Sequence, residues 1–272
     1  MRCDFNPFPK FQRNPKLKLI LRERDSAAYN GGPSVFAPVY SRDGTGIFYL
    51  RGPEAYEYSG QGGNLWRINS NGTGKVELLE DTFFGLAVSP NGNQLALTCG
   101  DASGGRIVLY SLQTGEVDTL HTGVEDIFDV EFSRARDVLF YSSKTCGIYA
   151  VNTDGTNPRH LDTTCAYFDL TSNDSVVVGV CWGSKPAVHP SDAFYAADSG
   201  HQSWRHGIFL VDMATGDTTR LDAMPYRRTG TGRKCWSPDG RQLVFTAMEW
   251  QGGDPLRPTG SEIWLLDSVT AK

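Results

Sequence analysis

Four basic side chains cluster in one short connection near the end of the chain. Residues 225–234 read PYRRTGTGRK, with four cations and two glycines in ten residues. Guanidinium groups bind carboxylates and phosphates through paired N–H groups, and exposed amides of a glycine-containing loop can add to such a site. The segment predicts an anion-binding site, although a basic loop is often simply solvated. With one arginine from another connection, the candidates are Arg51, Arg227, Arg228, Arg233 and Lys234.

Aromatic and histidine side chains are concentrated in other long connections. Such residues stack on sugars or anchor protein interfaces, and the alternative is that they pack a long connection onto its own scaffold. Three of the five histidines lie within 183–206, but their spacing matches no metal-ligand pattern and no carboxylate is clearly paired with them. The binding candidates are Tyr56, Tyr58, Trp182, His189, Tyr195, His201, Trp204, His206 and Trp250.

Other motifs that suggest chemistry are incomplete. Residues 100–105 read GDASGG, close to a serine-protease nucleophile signature, but no histidine and aspartate stand where a triad needs them. Asn152 and Asp154 resemble the start of a calcium loop that lacks its closing carboxylate, and Asp-Gly pairs are typical of hairpin turns. The sequence therefore predicts no catalytic residue, no metal and no cofactor, which favours a non-enzymatic role.

A five-fold repeat predicts the elements that position these side chains. Each copy holds two short apolar runs joined by a turn, and a second hairpin follows it. The copies begin at 39–50, 87–98, 131–142, 169–180 and 235–246. Four antiparallel strands in about 40–50 residues is the spacing of a propeller blade. We predict an all-β fold, a single β-propeller over 1–272 with five four-stranded blades, six being the alternative.

Two irregularities complete this prediction. The anchor residues of the copies are Ser41, Ser89, Ser133, Thr171 and Ser237, and the last gap is the longest. We assign its excess, 183–206, to an insertion between the second and third strands of blade four. The last copy ends after its third strand, and an unpaired outer edge would invite aggregation. The segment 17–25 is therefore predicted to close the ring by pairing with 261–267.

Three stretches of the repeat carry a family resemblance. They are SPDG at 237–240, SPNG at 89–92 and VNTDGT at 151–156. Over about 40–272 the repeat resembles that of the TolB-like, WD-type β-propellers. It departs from this pattern at 134–136, where RAR replaces PDG, and in blade number, since TolB itself has six. The resemblance implies a propeller, while its members range from scaffolds to lyases that act on acidic sugars, so it implies no single function.

Loop lengths predict which face of the propeller carries function. The turns between first and second and between third and fourth strands share one end of the ring, here called the short-turn face. The other connections share the long-loop face, and they include 25–36, 51–63, 183–206, 222–234 and 249–260. Long connections on a rigid scaffold often bind partners. We predict a protein-interaction or scaffold propeller that uses the long-loop face. The alternative is a carbohydrate- or acidic-ligand-binding propeller, or a lyase or hydrolase, acting at the channel mouth.

Composition limits the classes of partner and the cellular compartments that we expect for this protein. A net charge of −5 and a pI near 5.5 argue against nucleic acid, which requires a basic face. No run approaches a membrane span, and the first residues lack the apolar core of a signal peptide. We expect a cytoplasmic or otherwise intracellular protein, or a periplasmic or secreted one if a signal was removed. The six cysteines are expected to be free, with Cys146 and Cys165 the pair to check for a bridge.

Overall fold

Antiparallel sheets make up the whole of the structure described here. The computed structural model describes residues 16–23, 33–52, 62–99, 104–143, 147–162, 167–178, 185–198, 207–223, 228–250 and 258–267. These residues form five four-stranded sheets and one two-stranded sheet, with no helix among them and thus none able to cross a membrane. The predicted all-β propeller with five four-stranded blades is confirmed.

The first strand, β1 (Lys16–Glu23), belongs to the last blade, and the next twelve strands form three consecutive blades. Blade one contains β2 (Ser34–Tyr40), β3 (Gly46–Gly52), β4 (Gly63–Asn69) and β5 (Val76–Phe83). Blade two contains β6 (Gly85–Val88), β7 (Gln94–Cys99), β8 (Arg106–Ser111) and β9 (Val117–His121). Blade three contains β10 (Ile127–Phe132), β11 (Val138–Ser143), β12 (Gly147–Asn152) and β13 (Arg159–Asp162).

The second half of the chain begins with a two-stranded hairpin, β14 (Phe168–Leu170) and β15 (Val176–Val178). Blade four contains β16 (Ala187–Val188), β17 (Phe194–Asp198), β18 (Gly207–Asp212) and β19 (Thr218–Ala223). Blade five contains β20 (Arg228–Trp236), β21 (Leu243–Trp250) and β22 (Pro258–Asp267), with β1 as its outer strand.

Both ends of the chain close the ring, as predicted. Strand β1 pairs antiparallel with β22, with Leu17 opposite Leu266 and Arg22 opposite Glu262. The Arg22 Nε lies 2.5 Å from Glu262 Oε1, and Glu262 is fully buried. Ile20 enters the apolar cluster shared by blades five and one. The outer edge of β22 is therefore covered by backbone pairing, side-chain packing and an ion pair.

The segment 183–206, expected to be an insertion, has a different role. Strands β16 and β17 fall inside it and pair with each other, and β17 also pairs with β18, so they are the first two strands of blade four. Residues 168–178 instead supply the separate hairpin. The turn between β16 and β17 begins at His189 rather than at the serine or threonine of the other copies, and the sequence pattern therefore did not reveal it.

Six inner strands surround the axis of the ring. Strands β2, β6, β10, β14, β16 and β20 contact one another in that order, and β20 contacts β2. The hairpin thus occupies a place in the inner wall between blades three and four, although no outer strands are found for it among the described residues.

Apolar side chains fill the spaces between neighbouring sheets. Four clusters join blades one and two, two and three, four and five, and five and one. A fifth joins blade three to the hairpin through Phe140 and Phe168. Because strand side chains alternate between the two faces of a sheet, an inner strand can contribute to the clusters on both sides of its blade, as β2 does through Phe36 and Val35 and β6 through Leu86 and Ala87.

Candidate functional site

Four of the six turns between first and second strands share one design. In blade one, the Ser41 hydroxyl donates to Asp43 Oδ1 at 2.6 Å and accepts from the Gly46 amide at 2.8 Å. Equivalent bonds join Ser89 to Asn91, Thr171 to Asn173 and Ser237 to Asp239. These bonds satisfy the turn's polar groups internally, so the short-turn face is locally rigid.

Each of the six inner strands ends in a turn that leads to the second strand of its sheet. In five of these turns, the third residue after the first residue of the turn adopts a positive φ. Glycine takes that position in blades one, two and five, at Gly44, Gly92 and Gly240, with φ of 72°, 75° and 71°. A Cβ built on Gly92 would lie 2.8 Å from Arg42 Cβ, and one on Gly240 would meet the His189 ring. Each of these glycines therefore leaves room for the side chain of the neighbouring turn.

Aspartate replaces that glycine in the hairpin and in blade four. Asp174 and Asp192 have φ of 64° and 57°. The Asp174 carboxylate accepts from Ser133 Oγ at 2.8 Å and Arg136 Nη2 at 2.7 Å, while Asp192 accepts from the Ser172 amide at 2.9 Å. Each carboxylate thus reaches back to the preceding turn, which couples the turns of blade three, the hairpin and blade four.

A cavity of about 380 Å³ lies on the axis, inside the six inner strands. Its wall comes from all of these strands, and it extends to the short turns, where Pro90, Pro190 and Pro238 line it. It therefore opens towards the short-turn face. Its charged lining residues are Arg42, Glu131, Arg134, Asp169, Lys185, Arg233 and Lys234.

Lys185 is the centre of a buried ion cluster in this wall. Its Nζ lies 2.8 Å from Asp129 Oδ1 and 2.5 Å from Glu131 Oε1. Asp129 is fully buried, and its other oxygen accepts from the Phe168 amide at 3.2 Å. Arg233 Nη1 lies 3.6 Å from Asp129 Oδ1, while Arg233 Nη2 donates to the Phe128 carbonyl at 2.6 Å. The cluster joins blade three, the hairpin, blade four and blade five.

Burial changes the acidity of the carboxyl groups in this cluster. It raises the pKa of Glu131 to about 7, more than the neighbouring Lys185 cation lowers it. Burial likewise raises the pKa of Asp169, whose Oδ2 accepts from the Val188 amide at 2.7 Å. Burial acts to lower the pKa of Lys185, but Asp129 and Glu131 outweigh it and the pKa is raised. The wall therefore combines permanent cations with a carboxyl group that titrates near neutral pH.

Two of the proposed anion-binding residues lie in the wall of the cavity. Arg233 and Lys234 belong to the inner strand β20 and are almost completely buried, 4% and 3% exposed. The Lys234 Nζ donates to the Lys185 carbonyl at 3.1 Å. Arg51 lies elsewhere, in β3, where it pairs with Glu23 at 3.3 Å and packs over the Trp66 ring. The structure therefore separates Arg51 from the other two.

Two of the proposed binding residues lie close to the short turns, not at the long-loop face. His189 begins the inner turn of blade four, accepts from the Ser191 amide at 3.1 Å through Nδ1, and donates from Nε2 to the Gly240 carbonyl at 3.1 Å. Burial lowers the pKa of His189. Tyr195 pairs with Val188 directly after that turn, and burial raises its pKa.

The remaining predicted residues are described only in part or not at all. Arg228 and Trp250 lie in β20 and β21, but their side chains are not described. Outside the described residues are Tyr56, Tyr58, Trp182, His201, Trp204, His206, Arg227, Cys146 and Cys165. Cys99 is buried, and burial raises the pKa of the Cys235 thiol to about 12. Within the described ranges, no group of three or more histidine, cysteine or acidic residues could hold a metal ion.

The sequence prediction missed the central residues Asp129, Glu131, Asp169 and Lys185. A signal for two of them exists in the third copy, where 128–132 read FDVEF. Val130 and Phe132 of this inner strand pack between blades two and three, so the alternating carboxylates lie on its opposite face, towards the hairpin. An inner strand with two acidic residues requires nearby cations, because a buried unpaired carboxylate is costly.

The fold can be compared with known proteins, although the sequence matches no family model and no curated protein. Among solved structures, U3-55K superposes with a TM-score of 0.60 at 10% identity, over 93% of this chain and 99% of that one. The Cps50 (Swd1) β-propeller domain of Myceliophteria thermophila gives 0.54 at 11%, over 94% and 100%. TolB of Acinetobacter baumannii gives 0.42 at 14%, over 88% and 55%.

These likenesses concern the fold. The chain is a β-propeller whose repeat resembles that of the TolB-like, WD-type propellers, and solved structures at 10–11% identity show the fold and nothing further. The chain spans 60% of the Kuenenia stuttgartiensis hydrazine synthase chain and 55% of the TolB chain that it matches.

Proposed function

We propose that this protein is a non-catalytic interaction propeller that binds another protein through its long-loop face. The observation behind this proposal is that the longest connections between strands lie on the long-loop face, although other connections on that face are as short as one residue. Within the inner and outer hairpins, five or six residues separate consecutive strands. Ten residues separate β3 from β4 and β1 from β2, and eight separate β17 from β18. Such connections on a rigid scaffold offer a surface that short turns do not.

The scaffold supports this proposal because it is closed and well packed. Apolar clusters join its four-stranded blades, and β1 seals the last sheet. A rigid ring presents its loops at low entropic cost, because little of the scaffold must become ordered on binding. The aromatic residues that remain candidates for this surface are Tyr56, Tyr58, Trp182 and Trp204.

The experiment compares two sets of substitutions by affinity capture from the source cell, with quantitative mass spectrometry. The first variant carries alanine at Tyr56, Tyr58, Trp182 and Trp204. The matched control carries alanine at Val76, Val117 and Leu161, which are exposed apolar residues of outer strands, 45%, 49% and 46% exposed. A stoichiometric partner that is lost from the first variant and kept by the control would support the proposal. A partner retained by both would place the interface elsewhere.

Acidic-ligand binding is a second candidate function, and the charged axial cavity favours it. This cavity opens at the short-turn face, so both functions could operate in one molecule. The carbohydrate-binding, lyase and hydrolase alternatives have no further support in the described residues.

A further inference from the structure

We propose that the axial cavity binds a small di- or tricarboxylate, which enters from the short-turn face and is bound together with a proton. The inference rests on the second candidate function, acidic-ligand binding, and is independent of protein binding at the long-loop face. It depends on the charge of the cavity wall, on the depth over which the cations are distributed, and on the carboxyl group at its centre.

The cavity lining carries an excess of positive charge. Its cations are Arg42, Arg134, Lys185, Arg233 and Lys234, and its carboxylates are Glu131 and Asp169. Asp129, immediately behind Lys185, adds a third carboxylate. Even with all three ionised, two positive charges remain. Because the cavity walls are protein rather than water, this excess attracts an anion more strongly than the same charges would on an open surface.

The cations of the cavity lie at two depths. This arrangement favours a ligand that is long enough to contact both sets. Lys185, Arg233 and Lys234 are buried in the wall, whereas Arg42 and Arg134 are exposed residues of the turns at the mouth. Arg134 follows Glu131, the partner of Lys185, by three residues along the chain. At the rise of an extended chain, the two sets are separated by about 10 Å. A ligand with an acidic group at each end can reach both sets, while a single phosphate cannot.

Neither arginine at the mouth is held by a strong ion pair. The Arg134 amide donates to Asp174 at 3.0 Å, but the Arg134 guanidinium is only loosely paired, 3.9 Å from Asp192 Oδ1. The first side-chain carbons of Arg42 lie against Gly92, where a Cβ built on the glycine would come within 2.8 Å of Arg42 Cβ. Among the described residues, no hydrogen bond or ion pair engages the Arg42 guanidinium. Both side chains can therefore turn towards an anion without first breaking a buried contact.

Glu131 couples binding to a proton. Its charged and titratable neighbours are Asp129 on the same strand, Asp169 on β14, Lys185 before β16, and Arg233, Lys234 and the neutral Cys235 thiol on β20. Because burial raises the pKa of Glu131 to about 7, this carboxyl group is partly protonated at neutral pH. A bound anion would raise that pKa further, since it disfavours a second negative charge nearby. Binding should therefore take up a proton and be tighter at about pH 6 than at about pH 8.

The test is isothermal titration calorimetry of the folded protein with citrate and succinate, with inorganic phosphate as the short anion. Titrations at about pH 6, 7 and 8, in two buffers of different ionisation enthalpy, measure the affinity and the protons taken up. We expect a tricarboxylate or dicarboxylate to bind at least about tenfold more tightly than phosphate, with an affinity that falls as the pH rises. Equal affinity for phosphate, or no proton uptake by the wild type, would overturn the proposal.

Three variants locate the binding site. Arg42→Ala with Arg134→Ala should weaken citrate binding by at least about tenfold, because each exchange removes a charge-assisted contact. The matched control is Arg241→Ala, which removes an exposed turn arginine that is not part of the cavity lining and should change nothing. Glu131→Gln should bind with little dependence on pH. Thermal melting verifies that each variant is folded.

The possible results distinguish a failure of the cavity as the binding site from a failure of acidic-ligand binding itself. Citrate binding that survives Arg42→Ala with Arg134→Ala would keep acidic-ligand binding but overturn the cavity as its site. Failure of the wild type to bind any of the three probes would overturn the cavity proposal and remove the support for acidic-ligand binding. Neither result would affect the proposed interaction at the long-loop face.

Discussion

The ring contains two kinds of boundary between neighbouring sheets. Blades four and five meet through an apolar cluster that includes Phe245 and Trp236, and the other complete blades meet in the same way. The hairpin and blade four meet through polar contacts, of which the bond from the Val188 amide to Asp169 is one and the bond from the Ser172 amide to Asp192 another. Among the described residues, no apolar cluster joins these two.

The size of the hairpin explains this difference. Strands β14 and β15 each have three residues, so their sheet offers far less apolar surface than a four-stranded blade. One face packs on blade three through Phe168 and Leu170. The boundary with blade four instead depends on Asp169, Lys185 and the turn carboxylates. Apolar packing stabilises the fold and tolerates the exchange of one apolar side chain for another of similar volume. Buried ion pairs mainly specify one arrangement, and loss of one partner strongly destabilises the fold.

Deletion of residues 1–26 should have the largest effect, because it removes β1 from the sheet of blade five. The edge of β22 would then be unpaired and the apolar cluster of blades five and one would lose Ile20. We expect loss of the cooperatively folded monomer. Size-exclusion chromatography with light scattering and a thermal melt would measure this. A monomeric variant that melts cooperatively would contradict the closure by β1.

Phe245→Ala tests an apolar boundary. The side chain is fully buried between blades four and five. Truncation leaves a cavity, and we expect a loss of about 3–5 kcal/mol in the free energy of unfolding. Urea denaturation at about pH 5 and pH 8 should give the same loss, because no charge is involved. Val117→Ala, at an exposed apolar residue, serves as the control, with a change below about 0.5 kcal/mol.

Lys185→Met tests the polar boundary. It leaves Asp129 and Glu131 buried without their cation, and we expect a loss of about 3 kcal/mol at about pH 8. The pKa of Glu131 would rise further in the folded variant, so the folded state would retain a proton that the unfolded state releases. The loss should therefore be smaller at about pH 5 than at pH 8. A loss that does not change with pH would show that packing, rather than charge, dominates at this boundary.

Asp174→Gly should have the smallest effect, because glycine already occupies the equivalent turn position at Gly44 and Gly92. The substitution relieves the positive φ but removes the bonds from Ser133, Arg134 and Arg136. We expect a loss of about 1–2 kcal/mol near neutral pH. Burial acts to raise the pKa of Asp174, but these hydrogen bonds outweigh it and the pKa is lowered.

The destabilisation caused by Asp174→Gly should change with pH in a defined direction. A carboxyl group with a lowered folded-state pKa stabilises the fold above its unfolded pKa, about 4, and this contribution is lost as the pH falls through the folded value. The difference between wild type and Asp174→Gly should therefore shrink in acid. Denaturant titrations at a series of pH values measure it, and a constant difference would contradict the proposed role of the carboxylate.

The repeated turns and the closing strand could be predicted because their causes are local. An anchor hydroxyl, an Asp or Asn two residues later and a glycine of positive φ define one turn, as at Ser237, Asp239 and Gly240. The same reasoning missed the turn at His189, where a ring nitrogen that accepts from the Ser191 amide stands in place of the anchor hydroxyl. An anchor of a different residue type was enough to hide a whole inner hairpin.

The sequence by itself determined most of the strand pattern, the number of four-stranded blades and the pairing of the chain ends, because alternation, turn residues and an unfilled strand position can be read along the chain. Only the tertiary structure decided that the hairpin joins the inner wall and that Asp129, Glu131, Asp169, Lys185 and Arg233 meet in one cluster. These residues come from the inner strands β10, β14 and β20 and from the segment before β16, and their encounter depends on the order and closure of the ring. The shifted pKa of Glu131 has the same origin, because the burial that raises it exists only once the ring has closed.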